Sequence, residues 1–182
     1  MRLLQRSAKG DHMKALRPVA LPLFIALAAT AQDGGTRFRA ELVGTQEVPA
    51  IFAAGSAIFD MQVLDNDTRI KFQLAYDNLT GPPLFAHVHF GQRGVNGGVS
   101  FFFCGGGGKP PCPATTSGTV TGTVFAKDVL GPTGQGIAAG DLAAILQMIR
   151  AGFGYANMHT PLHPGGEIRG QIRRAGDSEG DD

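Results

Sequence analysis

The sequence predicts an all-β fold: an antiparallel, Greek-key-type β-sandwich with one short helix. Three observations lead to this prediction. Apolar and polar residues alternate over short runs, glycine and proline separate these runs, and a single segment is rich in helix formers. With 27 Gly and 11 Pro in 182 residues, turns recur at the short intervals expected between antiparallel strands. The length suits one domain.

The first predicted elements are a strand and a hairpin. Residues 38–42 alternate apolar with polar side chains until Gly44 interrupts the pattern. Residues 57–64 and 69–76 flank the turn sequence Asp65-Asn66-Asp67, and every other residue of the second run is apolar, as in a strand with one buried face. The remaining strands are predicted over residues 85–90, 99–103, 119–126, 155–159 and 167–173.

The one predicted helix covers residues 142–150. Asp141 is a residue type that caps helix N-termini, and Gly152 lies where a helix commonly ends. The helix is expected to pack on the sandwich through the apolar residues Leu142, Ile145, Leu146 and Ile149.

The N-terminal segment has the pattern of a secretory signal peptide. Basic residues precede an apolar run over residues 19–29, and Ala29-Thr30-Ala31 forms a small-x-small cleavage site. Eleven apolar residues at about 1.5 Å each are too short for a hydrocarbon core of about 30 Å, so no permanent membrane span is expected. Met13 is an alternative start. We therefore expect a signal peptide over residues 1–31 and a secreted or periplasmic protein.

The charge balance changes once this segment is removed. The whole chain has 16 Lys+Arg and 15 Asp+Glu, whereas residues 32–182 have 11 and 14, a net charge of −3. A nucleic-acid-binding protein needs a basic face, so nucleic-acid binding is not expected. Residues 32–36 are predicted to form a flexible lead, residues 37–173 the domain, and residues 174–182 a disordered acidic tail.

Cys104 and Cys112 are the two cysteines of the chain. In an oxidising compartment, such a pair predicts a disulfide that closes a short glycine-rich loop. A redox-active or metal-binding pair is the alternative, which the spacing disfavours because it is not CxxC.

Four histidines follow the signal segment, in two compact clusters: His87, His89, His159 and His163. Because strand residues two apart share a face, His87 and His89 would present two imidazoles side by side. A third imidazole from His159 on a neighbouring strand would complete a three-histidine site suited to copper or zinc. The alternative is an ordinary polar strand face. His163 is either a fourth ligand or a loop residue.

Three further polar residues lie close to these clusters in the sequence. Asn157 shares the strand face of His159, while Glu167 and Arg169 alternate with isoleucines in the last strand. These side chains could surround the metal, fix histidine tautomers or steer anions. The alternative for Glu167 and Arg169 is a solvated ion pair of little energetic weight.

Four motifs in order resemble the chordin-type domain (CHRD) family. They cover residues 38–49, 86–91 with Asn96-Gly97, 154–160 and 165–172, so the resemblance spans nearly all of the chain after the signal segment. It implies a secreted β-sandwich whose biochemical activity is mostly undefined. In animal chordin such domains belong to an extracellular antagonist of bone morphogenetic proteins. This chain lacks the cysteine-rich modules associated with growth-factor binding, so that activity is not expected.

A more distant similarity concerns the histidine strand alone. His87-Val88-His89 is similar to the copper-ligand strand of the copper-zinc superoxide dismutases, and the similarity implies a mononuclear site of His87, His89 and His159. A bridged two-metal centre is excluded because no histidine lies between His89 and His159. Arg169 would correspond to the anion-guiding arginine of those enzymes.

Three functions are consistent with these features. We expect a binding or structural module with an extracellular or periplasmic partner of unknown identity, rather than an enzyme, because no nucleophile triad, paired catalytic carboxylates or phosphate-binding loop can be assembled. The alternative is a mononuclear copper or zinc protein acting as a metal carrier or sensor. A dismutase-like enzyme is the third hypothesis, and its redox chemistry would require copper.

Overall fold

A computed structural model describes residues 37–177, which lie within one compact unit of the chain, Gln32–Asp182. The predicted signal peptide, the predicted lead and residues 178–182 of the predicted tail lie outside the described residues. The strands are β1 (Arg37–Val43), β2 (Ser56–Leu64), β3 (Arg69–Asp77), β4 (Phe85–Phe90), β5 (Gly98–Cys104), β6 (Gly118–Phe125), β7 (Gly154–His159), β8 (Ile168–Gln171) and β9 (Arg173–Arg174). The α-helix is α1 (Leu142–Arg150).

All strand pairs are antiparallel, which confirms the predicted fold class. The sheet order is β5-β4-β7-β8-β1-β2-β3-β6, with β9 paired to β1. The end strands β5 and β6 approach each other, so the sheet folds over and nearly closes around its core. Long connections bring β4 beside β7 and β8 beside β1, as expected of Greek-key topology.

The core lies between the inward faces of the folded sheet. In β1, β2 and β3 buried and exposed residues alternate, as the sequence pattern predicts. An aromatic cluster forms the centre, where the ring of Phe103 lies 4.8 Å from the rings of both Phe59 and Phe72. Rings at this distance bury large apolar areas and hold the two halves of the sheet together.

Helix α1 confirms the predicted helix. The side chain of Asp141 accepts a hydrogen bond from the backbone N–H of Ala144 at 2.9 Å, which satisfies one donor of the first turn. The buried residues of the helix are Leu142, Ile145, Leu146, Met148 and Ile149. This face packs into the core. Since α1 spans nine residues, the described part of the chain contains no helix that could cross a membrane.

The C-terminal strand differs from its prediction. The run predicted over residues 167–173 divides into β8 and β9, because β8 pairs with β7 and β1 whereas β9 pairs with β1 alone. Arg174 belongs to β9, and the N–H of Ala175 donates to the carbonyl of Arg37 at 3.0 Å. Cys104 and Cys112 form the predicted disulfide at the end of β5.

Strands β4, β7 and β8 are buried on both faces, unlike the first three strands. Their inward face carries the apolar residues Ala86, Val88, Ala156, Met158 and Ile168. Their outward face carries polar side chains that loops cover. The polar residues of this outward face therefore lie in a dry environment, where unmet hydrogen bonds and charges are costly.

Candidate metal centre

The antiparallel pairing of β4 with β7 brings three histidines together. His87 pairs with Asn157, and Phe85 pairs with His159, so His159 lies diagonally across from His87 on the same face. His89 follows two residues after His87 and shares that face. The β4–β5 ladder shifts register on either side of the segment 87–88, an irregularity that often re-aims side chains near a site.

The imidazoles of His87, His89 and His159 form one compact cluster. The ring centroid of His87 lies 4.4 Å from that of His89 and 4.7 Å from that of His159. One ligand nitrogen from each residue lies within 4.8 Å of the other two. The structure thus brings together the three histidines that the sequence analysis selected.

Burial keeps these imidazoles neutral. His87 is 3%, His89 9% and His159 6% exposed. Burial lowers the pKa of His87 to about 2, and the neighbouring imidazoles of His89 and His159 lower it further, because a second positive charge would be repelled. Burial also lowers the pKa of His89 to about 4 and that of His159 below its ordinary value. Neutral imidazole is the form that binds a metal.

Backbone carbonyls select the tautomers of two of these histidines. The Nδ1 atom of His89 lies 2.8 Å from the carbonyl oxygen of Gly97, and the Nδ1 atom of His159 lies 3.0 Å from that of Pro164. A carbonyl only accepts, so each Nδ1 carries the proton and each Nε2 has a lone pair. Metal-binding histidines usually donate their other ring N–H to such an acceptor, which fixes the tautomer and the orientation of the ring.

The free nitrogens of the cluster fit a metal ion. Among the described residues, Nδ1 of His87 and Nε2 of His89 and of His159 are buried without a hydrogen-bond partner. Buried polar atoms are rarely left unmet, and an ion at their centre would satisfy all three. Metal–nitrogen bonds of about 2.0–2.1 Å place tetrahedral ligands about 3.4 Å apart, so a contraction of about 1.4 Å from the widest separation of 4.8 Å would complete the site.

Aromatic rings enclose the cluster. Tyr155 stacks on His89 with ring centroids 4.6 Å apart and an angle of 9° between the planes. Phe85 and Phe102 lie against His87 at 5.5 and 4.8 Å, and Phe85 also contacts His159 at 4.5 Å. These rings fix the imidazoles and keep the surrounding medium apolar.

Arg169 supports the loop that covers the site. It is 2% exposed, its guanidinium carbon lies 3.4 Å from the centroid of the Tyr155 ring, and it donates hydrogen bonds to the carbonyls of Gln92 and Val95 and to Oδ1 of Asn96. The three hydrogen bonds hold the loop over residues 91–97. Arg169 therefore braces the loop and does not present its charge to solvent anions.

Asn157 does not reach a histidine nitrogen through its amide. Its Nδ2 donates to Oε1 of Glu47 at 2.5 Å and to the carbonyl of Ile168 at 3.1 Å. Burial raises the pKa of Glu47 from 4.5 to about 7, although Asn157 and the positive charge of Arg169 act in the opposite direction. Asn157 thus fixes a buried carboxyl group next to the centre.

Glu167 organises the turn that follows His159. It is fully buried, and its carboxylate accepts hydrogen bonds from the hydroxyls of Thr80 and Thr160 at 2.5 Å each and from the backbone N–H of Thr80 at 2.8 Å. Since Thr160 adjoins His159, these bonds fix the end of β7. The predicted solvated ion pair of Glu167 with Arg169 is therefore not what the structure shows, because both side chains are buried in separate networks.

His163 lies outside the three-histidine cluster. Its carbonyl accepts hydrogen bonds from the N–H groups of Thr160 and Gly166, which places it in a turn. Sequence reasoning missed Glu47, Gly97, Pro164 and Tyr155 as parts of the site. Three of them, Glu47, Gly97 and Tyr155, belong to motifs that had indicated the family resemblance, and that placement was the available signal.

Together, the fold and the site define a disulfide-bonded, all-β domain with a buried three-histidine cluster. The family model described as CHRD domain matches residues 38–172. The chain belongs to the CHRD family. Neither the curated proteins nor the solved structures include a match to it.

Proposed function

We propose that this domain is a secreted or periplasmic binding module that holds one copper or zinc ion through His87, His89 and His159. The observation that carries the proposal is a group of three histidines, each of which brings one ligand nitrogen within 4.8 Å of the others and has one buried ring nitrogen without a hydrogen-bond partner. Leaving three such atoms unmet would cost several kcal/mol, at about 1–3 kcal/mol each. A bound ion removes that cost.

Two features support the choice of ion and compartment. An all-imidazole donor set suits copper and zinc, and the similarity of His87-Val88-His89 to the copper-ligand strand of the superoxide dismutases supports testing copper first. The disulfide between Cys104 and Cys112 supports an oxidising compartment.

The test is elemental analysis of protein purified without a histidine tag and incubated with copper or zinc. We expect about one ion per chain for the wild type, and at least a tenfold loss of affinity in His87→Ala, His89→Ala and His159→Ala. His163→Ala is the matched control, because His163 adjoins the same turn but lies outside the cluster. For the copper-loaded protein, electron paramagnetic resonance should show nitrogen coupling that disappears in the cluster variants.

A thermal melt separates loss of the site from loss of the fold. Metal that binds only the folded state raises the melting temperature of the wild type and of His163→Ala, and leaves that of the cluster variants unchanged. Wild-type protein that stays metal-free after incubation with both ions would contradict the proposal. An equal loss of metal in His163→Ala would contradict the assigned ligand set.

A further inference from the structure

A cleft of about 600 Å³ opens beside the C-terminal end of α1, away from the three histidines. Its walls come from the loop after β4, from the turn between α1 and β7, and from β8 and β9. None of the three histidines lines this cleft, although Gln92 and Arg93 belong to the loop that covers the metal centre. Its lining contains three kinds of group that together suit one class of ligand.

The first group is a concentration of arginines. Four of the sixteen basic residues of the chain line this cleft, namely Arg93, Arg150, Arg173 and Arg174. Asp177 is the one acidic residue in the lining. Arg150 is bound to Asp67 by two hydrogen bonds of 2.7 and 2.8 Å. Arg93 and Arg174 are exposed. Their guanidinium groups are available to bind a carboxylate through two parallel hydrogen bonds.

The second group is an amide with an unused acceptor. Gln171 is 9% exposed, and its Nε2 donates to the carbonyls of Gly91 and Gly152 at 3.0 and 2.7 Å. These two bonds fix the floor of the cleft to both of its walls. Within the described residues, Oε1 of Gln171 is buried without a partner. A ligand that donates a hydrogen bond, such as one with hydroxyl groups, would satisfy it.

The third group is an exposed aromatic ring. Phe153 is 44% exposed, although the backbone on both sides is anchored: its N–H donates to Met148, and its carbonyl accepts from Gly91. The edge of the ring also contacts Phe90, at 6.5 Å between centroids. A rigid, exposed ring at the rim of a polar cleft offers a flat apolar surface for stacking.

We infer that this cleft binds an acidic saccharide, in particular a chain of uronic acid residues. A uronate has a carboxylate for Arg93 or Arg174, hydroxyl groups for Oε1 of Gln171, and a C–H face for the ring of Phe153. A simple anion such as phosphate would use only the arginines. A neutral sugar would leave them unmatched.

Calorimetric titration with tetragalacturonate tests the inference, with the neutral maltotetraose and inorganic phosphate as comparison ligands. We expect tetragalacturonate to bind and maltotetraose not to bind. Arg93→Ala and Arg174→Ala should each raise the Kd about tenfold, which corresponds to one charge-assisted contact. Phe153→Ala should raise the Kd severalfold for the saccharide. Lys71→Ala is the control, because Lys71 is an exposed cation on β3 that does not line this cleft, and it should leave the Kd unchanged.

Two results would overturn the inference. One is the absence of tetragalacturonate binding. The other is binding that phosphate displaces equally well and that Phe153→Ala leaves unchanged, which would identify a general anion site. The His87→Ala variant should bind tetragalacturonate like the wild type, so failure of the metal proposal and failure of this one are distinguishable.

Discussion

The carbonyl oxygen of Gly97 accepts a hydrogen bond from the Nδ1–H group of His89, with 2.8 Å between the nitrogen and the oxygen. The N–H of the same residue donates to the phenol oxygen of Tyr155 at 3.1 Å, and the Tyr155 ring stacks on the His89 imidazole. One peptide segment therefore connects the histidine to the ring that covers it. The orientation of His89 depends on this closed arrangement of three residues, and each part of it can be tested separately.

Tyr155→Phe removes the acceptor of the Gly97 N–H and retains the stacked ring. We expect the free energy of unfolding to fall by about 1 kcal/mol, the typical loss for one hydrogen bond, and the metal Kd to rise severalfold because Gly97 is held less firmly. Urea denaturation and competition with a chelator measure the two effects. Tyr155→Leu also removes the stacking, so it should lower the free energy of unfolding further and raise the metal Kd further. Wild-type metal affinity in both variants would refute this role of Tyr155.

Arg169→Lys retains the charge and removes the planar, multiply bonded guanidinium. Arg169 makes three hydrogen bonds to the loop over residues 91–97, so we expect faster amide hydrogen exchange throughout that loop and a loss of about 2 kcal/mol of stability. Arg39→Lys is the control, because Arg39 is half exposed and its ion pair with Asp60 is long, at 3.7 Å. Unchanged exchange in the loop would show that Arg169 does not hold it.

The sequence pattern was sufficient to predict the local geometry of the site. Alternation along β4 places His87 and His89 on one face, because strand residues two apart point the same way. It also places His159 and Asn157 on one face of β7. The pairing of β4 with β7 joins residues about seventy positions apart, which alternation along a strand does not predict. In the sequence, only the hypothesis of a shared metal site placed the two strands side by side.

The surroundings of the site could not be predicted, because they depend on loop closure. Gly97 and Pro164 act through backbone carbonyls, which any residue possesses, so their side chains carry no chemical signal. Glu47 lies in a connection between β1 and β2, and only the folded chain brings it to Asn157. Arg169 was selected by residue type, but its burial and its contacts with the loop depend on how that loop folds back.

Gly97→Ala tests whether close backbone packing maintains the His89 tautomer. A Cβ atom at Gly97 would lie 1.6 Å from the carbonyl oxygen of Phe90, so the backbone must move and carry the Gly97 carbonyl with it. We expect a loss of at least about 2 kcal/mol of stability and at least a tenfold weaker metal affinity. Gly134→Ala, where a Cβ would meet nothing within 4 Å, is the control. Metal affinity equal to that of the wild type would contradict the role of the Gly97 carbonyl.

Glu47→Gln should change how stability depends on pH. Burial raises the pKa of Glu47 to about 7 from 4.5, so between these values the folded state holds a proton that the unfolded state has lost. The contribution of Glu47 to the free energy of unfolding is therefore largest below pH 4.5, falls as the pH rises to 7, and stays constant above. Glutamine cannot ionise, and its amide oxygen can still accept the hydrogen bond from Asn157.

The stability difference between Glu47→Gln and the wild type isolates this group, because every other residue contributes equally to the pH dependence of both proteins. Urea denaturation of metal-free protein at several pH values should show that the free energy of unfolding of the variant rises relative to that of the wild type between pH 5 and 7. The total gain should be on the order of 2 kcal/mol, which is the difference in pKa converted at about 1.4 kcal/mol per unit and discounted for screening by solvent. A difference that stays constant from pH 5 to 8 would mean that Glu47 does not titrate in this range. Asp67→Asn is the control, because the hydrogen bonds from Arg150 hold the pKa of Asp67 below its ordinary value, so this carboxylate stays ionised from pH 5 to 8 and its replacement should leave the pH dependence in that range unchanged.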